Sequence, residues 1–419
     1  MTRFIPIYCA AAAPMPWIYL RLSGFHGDPI TETVFAGLAI LGAAFLLAWG
    51  AEVAQLDISA SLAIALLSFI AVLPEYAVDI YFAWQAGKDP SYSSYAVANM
   101  TGANRLLIGV GWSTIALLAW WRTGKRVLFL DKKDSIELGA LTAATAYAFV
   151  IPFKESLSIV DTIVLIGIFA VYIRATARQG VEEPHLIGPA EALSTLPTRA
   201  RRAAVVSMFV FAAASILLAA EPFAEGLVAT GRLLGIDEFL LVQWLAPLAS
   251  EAPEFIIASL FALQGRAGLG LRAMISSKVN QWTLLIGMLP LAYMISKGSI
   301  AAMSLDSRQV EEVLLTVAQS AFAVAVLAKF RFSVVSALAL LALFLTQFFM
   351  PDLHGMFIMA YVVLTVILIV IDRRRLAGAF AAVRTFLTGE AASGETEREE
   401  DGEAGVHGKQ LAGEPRNPL

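Results

Sequence analysis

Two Pro-Glu pairs sit inside long apolar runs of this chain, Leu73-Pro74-Glu75-Tyr76 and Ala252-Pro253-Glu254-Phe255. A charged side chain at mid-membrane costs roughly 2.5–3.5 kcal/mol on insertion scales, so such a residue is paired, hydrated or bound to a cation. Asp79 follows Glu75 by one helical turn and shares its face, while Ser250 and Glu251 precede Glu254 by four and three positions and share its face. The four carboxylates Glu75, Asp79, Glu251 and Glu254 converge if the two stretches pack across a pseudo-twofold axis. Each proline lacks an N–H and frees the carbonyl four residues earlier, near Ile70 and Ala249, and Pro247 loosens the second helix further. Carboxylates, freed carbonyls and hydroxyls form a hard oxygen site, suited to Na⁺ or Ca²⁺ rather than to metals that prefer Cys and His. The apolar segment after each pair adds oxygen: Asn99, Thr101 and Asn104 in the first, Ser276, Ser277, Asn280 and Gln281 in the second. Ala98, Gly102, Ala103 and Gly109 are small enough to let helices approach closely.

Membrane helices must position these groups. The 419 residues are 58% hydrophobic and 15% charged, against roughly 25% charged for a soluble domain. Apolar segments run at about 33–54, 58–86, 91–121, 135–151, 157–175, 203–228, 237–264, 268–296, 308–328, 333–350 and 353–372. These lengths suit tilted helices, the default fold in lipid because each helix satisfies its own backbone. The single cysteine, Cys9, excludes an internal disulfide framework, and the four histidines are scattered. The stretch 1–30 reads either as a signal peptide, with small residues at Ala10 to Ala13, or as a retained membrane segment. Trp17, Tyr19 and Leu20 carry apolar character past those alanines and favour retention.

Basic loops set the orientation. Arg122, Lys125, Arg126, Lys132 and Lys133, then Arg174, Arg178, Arg199, Arg201 and Arg202, then Lys329 and Arg331, then Arg373, Arg374 and Arg375 all fall on one side if the segments alternate. The positive-inside rule places that side, with the C-terminus, in the cytoplasm. A linker at 176–202, with Pro184, Pro189 and Pro197, divides a first membrane half (31–175) from a second (203–372). Residues 373–419 read as a cytoplasmic, largely disordered tail, acidic around Glu395 to Asp401.

The halves are repeats. Glu254 follows Glu75 by 179 positions, and Leu284-Leu285-Ile286-Gly287 follows Leu106-Leu107-Ile108-Gly109 by 178. The turn after the first Pro-Glu segment faces outside and the turn after the second faces the cytoplasm, so the repeats are inverted, a common design of secondary transporters. Plainer roles stand beside the chemical ones. Arg105, Arg272 or Lys278 could bridge an intramembrane Glu structurally, the amides could simply join helices, and Glu52, Glu221 and Glu225 lie near solvated segment ends.

The two copies resemble the alpha repeats of the sodium/calcium exchanger family, part of the cation/Ca²⁺ antiporter superfamily. Its motif runs roughly Gly-Thr-Ser-x-Pro-Glu, then Gly-Asn-x-x-Gly-Ser-Asn-x-x-Asn. Here it reads Ala71-Val72-Leu73-Pro74-Glu75 with Ala98-Asn99-Met100-Thr101-Gly102-Ala103-Asn104, and Ser250-Glu251-Ala252-Pro253-Glu254 with Ser276-Ser277-Lys278-Val279-Asn280-Gln281. The resemblance implies an all-α, polytopic fold of two inverted five-helix repeats, a ten-helix core with one or two extra terminal helices. It implies ion ligation by Glu75 and Glu254, with Asn99, Ser250, Ser277, Gln281 and Asn104 at further ligand positions. The departures are informative. Ala71 and Val72 remove two hydroxyls, Glu251 adds a carboxylate, and Lys278 replaces the Asn beside the ligand Ser.

The resulting expectation is a secondary antiporter of the plasma membrane, not an enzyme, exchanging Ca²⁺ or another cation for Na⁺ or H⁺. Glu251 and Asp79 tune charge or carry protons. The alternatives are a Na⁺/H⁺ antiporter without Ca²⁺ transport and a non-transporting sensor or scaffold. No tightly bound cofactor is expected beyond transported Ca²⁺ or Na⁺. The expected partners are lipids and cations, not nucleic acid.

Overall fold

The computed structural model describes residues 2–24, 27–58, 72–131, 134–179 and 186–388. Ile70, Ala71, Lys132, Lys133, Pro184 and the 389–419 part of the expected tail lie outside the described residues.

The chain begins with two short helices, α1 (Ile5–Ala12) and α2 (Met15–Ser23), separated at Pro14. Helix α3 (Pro29–Ala54) opens on Asp28, whose side chain accepts from the backbone N–H groups of Ile30 and Thr31, with Pro29 in the first turn where no donor is needed. Helix α4 (Leu73–Ala86) turns back into α5 (Ser93–Leu106), which runs through a wide π turn, Leu107–Trp112, into α6 (Ser113–Thr123). Then come strand β1 (Val127–Phe129), α7 (Ser135–Ala148), α8 (Val150–Lys154), β2 (Ser156–Leu157) and α9 (Ile159–Arg178).

The second half repeats this order. After α10 (Pro189–Ser194), α11 (Thr198–Leu234) and α12 (Glu238–Leu263) lead to α13 (Ala267–Asn280). A second π turn, Gln281–Leu285, joins α13 to α14 (Ile286–Lys297). Strand β3 (Met303–Ser304), α15 (Ser307–Leu327), β4 (Arg331–Ser333) and α16 (Val334–Phe349) complete the repeat. Helices α17 (His354–Ile371) and α18 (Arg374–Thr388) follow it. Eight helical segments among the described residues are long and apolar enough to cross a membrane.

The packing obeys the inverted pseudo-twofold. The first helices of the halves, α3 and α11, lie along one another; α12 packs on α6 as α14 packs on α4; α16 packs on α6 as α9 packs on α14; α7 meets α15. The two ribbons show the same exchange. Val127 to Phe129 pair antiparallel with Arg331 to Ser333, and Ser156 and Leu157 pair with Met303 and Ser304. The axis carries β1 onto β3 and β4 onto β2, so one ribbon clips the halves together on each membrane face. The expected all-α membrane fold of two inverted five-helix repeats with extra terminal helices is what the chain adopts. The strands are only two or three residues long.

The interior prolines free carbonyls with different surroundings. Pro222 inside α11 frees the Leu218 carbonyl, and the indole N–H of the buried Trp17 on α2 donates to it at 3.2 Å. Pro247 inside α12 frees the Gln243 carbonyl, which faces Gly102 on α5 so closely that an added Cβ would meet it at 1.8 Å. Part of the stretch expected as a tail is ordered. Arg374–Thr388 is an amphipathic helix whose Ala382, Thr385 and Phe386 are buried, with the Ala382 carbonyl and Phe386 pressed against Gly139 of α7. Its apolar residues recur at helical spacing, and the short apolar period is easily read as a basic solvated end.

Candidate functional site

Helix α4 begins just before Pro74, so this proline sits in the first turn, where its missing N–H is no loss. Pro253 lies inside α12 and does free the Ala249 carbonyl. In the first copy the carbonyl expected to be freed is that of Ile70, which lies outside the described residues.

Glu75 and Asp79 from α4 and Glu251 from α12 are buried, and Glu254 is half-buried. Glu75 feels the charges of Glu251, Asp79 and Glu254, so the four carboxylates from the two repeats gather in one region. Neutral groups line it. Ser277 of α13 donates its hydroxyl to Glu254 Oε2, and Gln281 Nε2 donates to Glu251 Oε1 at 2.9 Å. Asn99 of α5 faces Asp79. The Tyr76 hydroxyl donates to Asn280 Oδ1 at 2.6 Å, tying α4 to α13 beside the carboxylates. Several buried oxygens have no hydrogen-bond donor among the described residues: Glu75 Oε1, both Asp79 oxygens, Asn99 Oδ1, Glu251 Oε2 and Gln281 Oε1. A buried acceptor without a partner is costly, and a cation is the partner that suits a carboxylate. Among the described residues no three His, Cys, Asp or Glu side chains are drawn into a tight metal-holding group. A cation here would therefore also draw on amide, hydroxyl or carbonyl oxygen.

Two candidates point elsewhere. The Ser250 hydroxyl donates back along its own helix to the Ala246 and Pro247 carbonyls, at 3.2 and 3.3 Å. Asn104 Oδ1 accepts from Lys278 Nζ at 2.7 Å. The proposed structural bridges also sort themselves. Arg105 is fully buried but pairs with Glu312 of α15 at 2.5 Å, not with a Pro-Glu carboxylate. Gln243 Nε2 donates to the same Glu312 oxygen at 2.9 Å, and His354 Nδ1 lies 3.3 Å from the other. Arg272 pairs with Asp131 and Asp134 at the basic face. Of the three cations, only Lys278 stands among the site carboxylates. Glu225 is not merely a solvated end: it accepts from the hydroxyls of Tyr81 at 2.7 Å and Tyr92 at 2.9 Å. Tyr76 and the Arg105–Glu312 pair escape a reading of local sequence, since their partners lie about 200 positions away.

The sequence pattern of the family described as Sodium/calcium exchanger protein matches residues 32–177 and 204–370. A solved structure described as the H⁺/Ca²⁺ exchanger CAX is 41% identical, covers 93% of this chain and 100% of its own, and superposes with a TM-score of 0.88. The Ca²⁺/H⁺ antiporter protein YfkE shares the fold at 14% identity, over 83% of this chain and 99% of its own, with a TM-score of 0.60. The sodium-calcium exchanger NCX_Mj shares it at 16% identity, over 76% and 97%, with a TM-score of 0.51. A search of curated protein sequences found no match. Matched across both halves, the chain belongs to the sodium/calcium exchanger family of membrane cation antiporters.

Proposed function

We propose that the chain exchanges Ca²⁺ for protons across the plasma membrane, and that Glu75 and Glu254 are the principal Ca²⁺ ligands. The observation that carries this is the gathering of four carboxylates from two inverted helices, with oxygens that no donor among the described residues satisfies. Like charges shielded from water are tolerable only when neutralised, by a divalent cation or by protons. Occupancy by one or the other is what exchange requires. Asn99, Gln281 and Ser277 supply neutral oxygen to the ion, as a flexible Ca²⁺ shell does. Ser250 joins them once its present hydrogen bonds turn over, while the side-chain oxygen of Asn104 is taken by Lys278. Glu251 and Asp79 carry protons or tune charge. The proton is favoured over Na⁺ as counter-ion by the loss of hydroxyl ligands in the first copy and by the 41%-identical relative described as an H⁺/Ca²⁺ exchanger. Basic loops and the C-terminus face the cytoplasm, by the positive-inside rule, and residues 176–202 link the two membrane halves.

Ca²⁺ uptake into proteoliposomes under an imposed pH gradient, and in parallel a Na⁺ gradient, tests the reading. Uptake driven by the pH gradient is expected. Uptake driven by Na⁺ alone would reassign the counter-ion, and no Ca²⁺ movement under either gradient would overturn the function.

A further inference from the structure

Lys278 is fully buried on α13, between Ser277 and the π turn, where the family motif has an uncharged Asn. Its ammonium donates to Asn104 Oδ1 at 2.7 Å and approaches the Asn104 carbonyl at 3.4 Å. It stands 4.0 Å over the ring of Trp282, which is itself buried. It also lies within electrostatic reach of Glu251 and Glu75. Desolvating an ammonium is expensive and is offset only by matched partners. The partners here are two amide oxygens, an aromatic face and two carboxylates from both repeats. Hard oxygens beside carboxylates are also what an alkali cation seeks. Lys278 therefore meets the oxygens that a monovalent ion would meet, but it is covalently fixed and cannot be exchanged.

We infer that Lys278 is a tethered substitute for a monovalent cation, and that it determines the counter-ion by excluding Na⁺ from the site. This rests on the antiporter reading above. The amine holds Asn104 and occupies the place that a mobile Na⁺ would otherwise take. Protons are left as the exchangeable positive charge. The roles divide between the two faces of the second motif: Ser277 serves the Glu254 side and Lys278 the Asn104 side.

The test uses the full-length protein in liposomes and in detergent. Wild-type Ca²⁺ flux is expected to be indifferent to a Na⁺ gradient, and Na⁺ is expected not to displace Ca²⁺ at equilibrium. Lys278→Gln, and Lys278→Asn made alongside it, are expected to acquire a several-fold Na⁺ response in flux or in Ca²⁺ binding. Lys278→Arg, which keeps the charge, stays indifferent. A merely structural lysine predicts loss of stability or flux in all three, with no gained Na⁺ response. pH-driven Ca²⁺ flux in the wild type with both neutral variants indifferent to Na⁺ overturns this inference alone. Na⁺ displacing Ca²⁺ from the wild type overturns it without any variant. Absence of Ca²⁺ flux under either gradient overturns the antiporter reading and this inference with it.

Discussion

Gly102→Ala replaces one hydrogen by a methyl group at a close approach of the two repeats. Gly102 lies on α5 between Asn99 and Asn104, against the Gln243 carbonyl of α12. That carbonyl is free because Pro247 gives it no N–H. An added Cβ would stand 1.8 Å from this oxygen and 2.8 Å from its carbon, both backbone atoms that no rotamer can move. Ordinary contact begins near 3.4 Å, so α5 and α12 must part by roughly 1.6 Å. Overpacking of this kind costs about 1–3 kcal/mol. The displacement also separates Asn99 on α5 from Glu251 and Glu254 on α12, and a misplacement of about 1 Å can cost on the order of 100-fold where positioned groups act together. The assay pairs thermal stability in detergent with Ca²⁺ uptake in liposomes. Gly102→Ala is expected to lose most uptake and to melt lower. Gly167→Ala, where nothing lies within 4 Å of the added Cβ, is expected to match the wild type. A Gly102→Ala protein as stable and as active as Gly167→Ala would refute the close-approach reasoning.

Two further perturbations probe the frame around the site. Glu312→Gln leaves Arg105, fully buried and bonded to it at 2.5 Å, without its charge partner, and breaking a buried pair costs about 3–5 kcal/mol. A large fall in detergent melting temperature is expected, and an unchanged one would show that Arg105 finds another partner. Asp57 joins the end of α3 to the start of α11 through Arg201 at 2.8 and 2.9 Å and Arg202 at 3.0 Å. The Arg201 hydrogen bonds, aided by Arg202 and opposed by partial burial, pull its carboxyl from the ordinary 3.8 down to about 2. Because the folded value is the lower one, this stabilisation is present above the ordinary value and fades as pH falls through about 2. Asp57→Asn is expected to melt a few degrees lower at neutral pH, with the gap to wild type closing in acid. A gap that persists at low pH would count against the ion pair as its cause.

How far the sequence spoke depended on the distance between partners. The Pro-Glu pairs, the repeat spacing and the apolar runs are local patterns, and they were enough for the inverted membrane fold. The carboxylate cluster followed because helical spacing puts Asp79 under Glu75 and Glu251 under Glu254. What stayed hidden was paired across the halves. Ribbons of two or three residues carry no strand signature, and Leu157 meets Met303 only once the repeats interlock. Arg105 looked like a bridge to the site, but Glu312 outcompeted the Pro-Glu carboxylates by lying at its tip. Pro74 stands in the first turn of α4, a boundary that hydropathy does not show because Leu73 lies in a long apolar run. Lys278 was visible as a departure from the motif, yet its attachment to Asn104 needed the packing of α13 on the first repeat.

The most direct test of the central claim is Ca²⁺ uptake by Glu75→Gln and Glu254→Gln in proteoliposomes under a pH gradient, each checked for folding by its melting temperature. Amide for carboxylate keeps size and one acceptor oxygen but removes the charge that holds a divalent ion. The account predicts folded proteins with uptake reduced to background in both. Folded variants that still move Ca²⁺ at the wild-type rate would contradict the assignment of the ion site to the two Pro-Glu carboxylates.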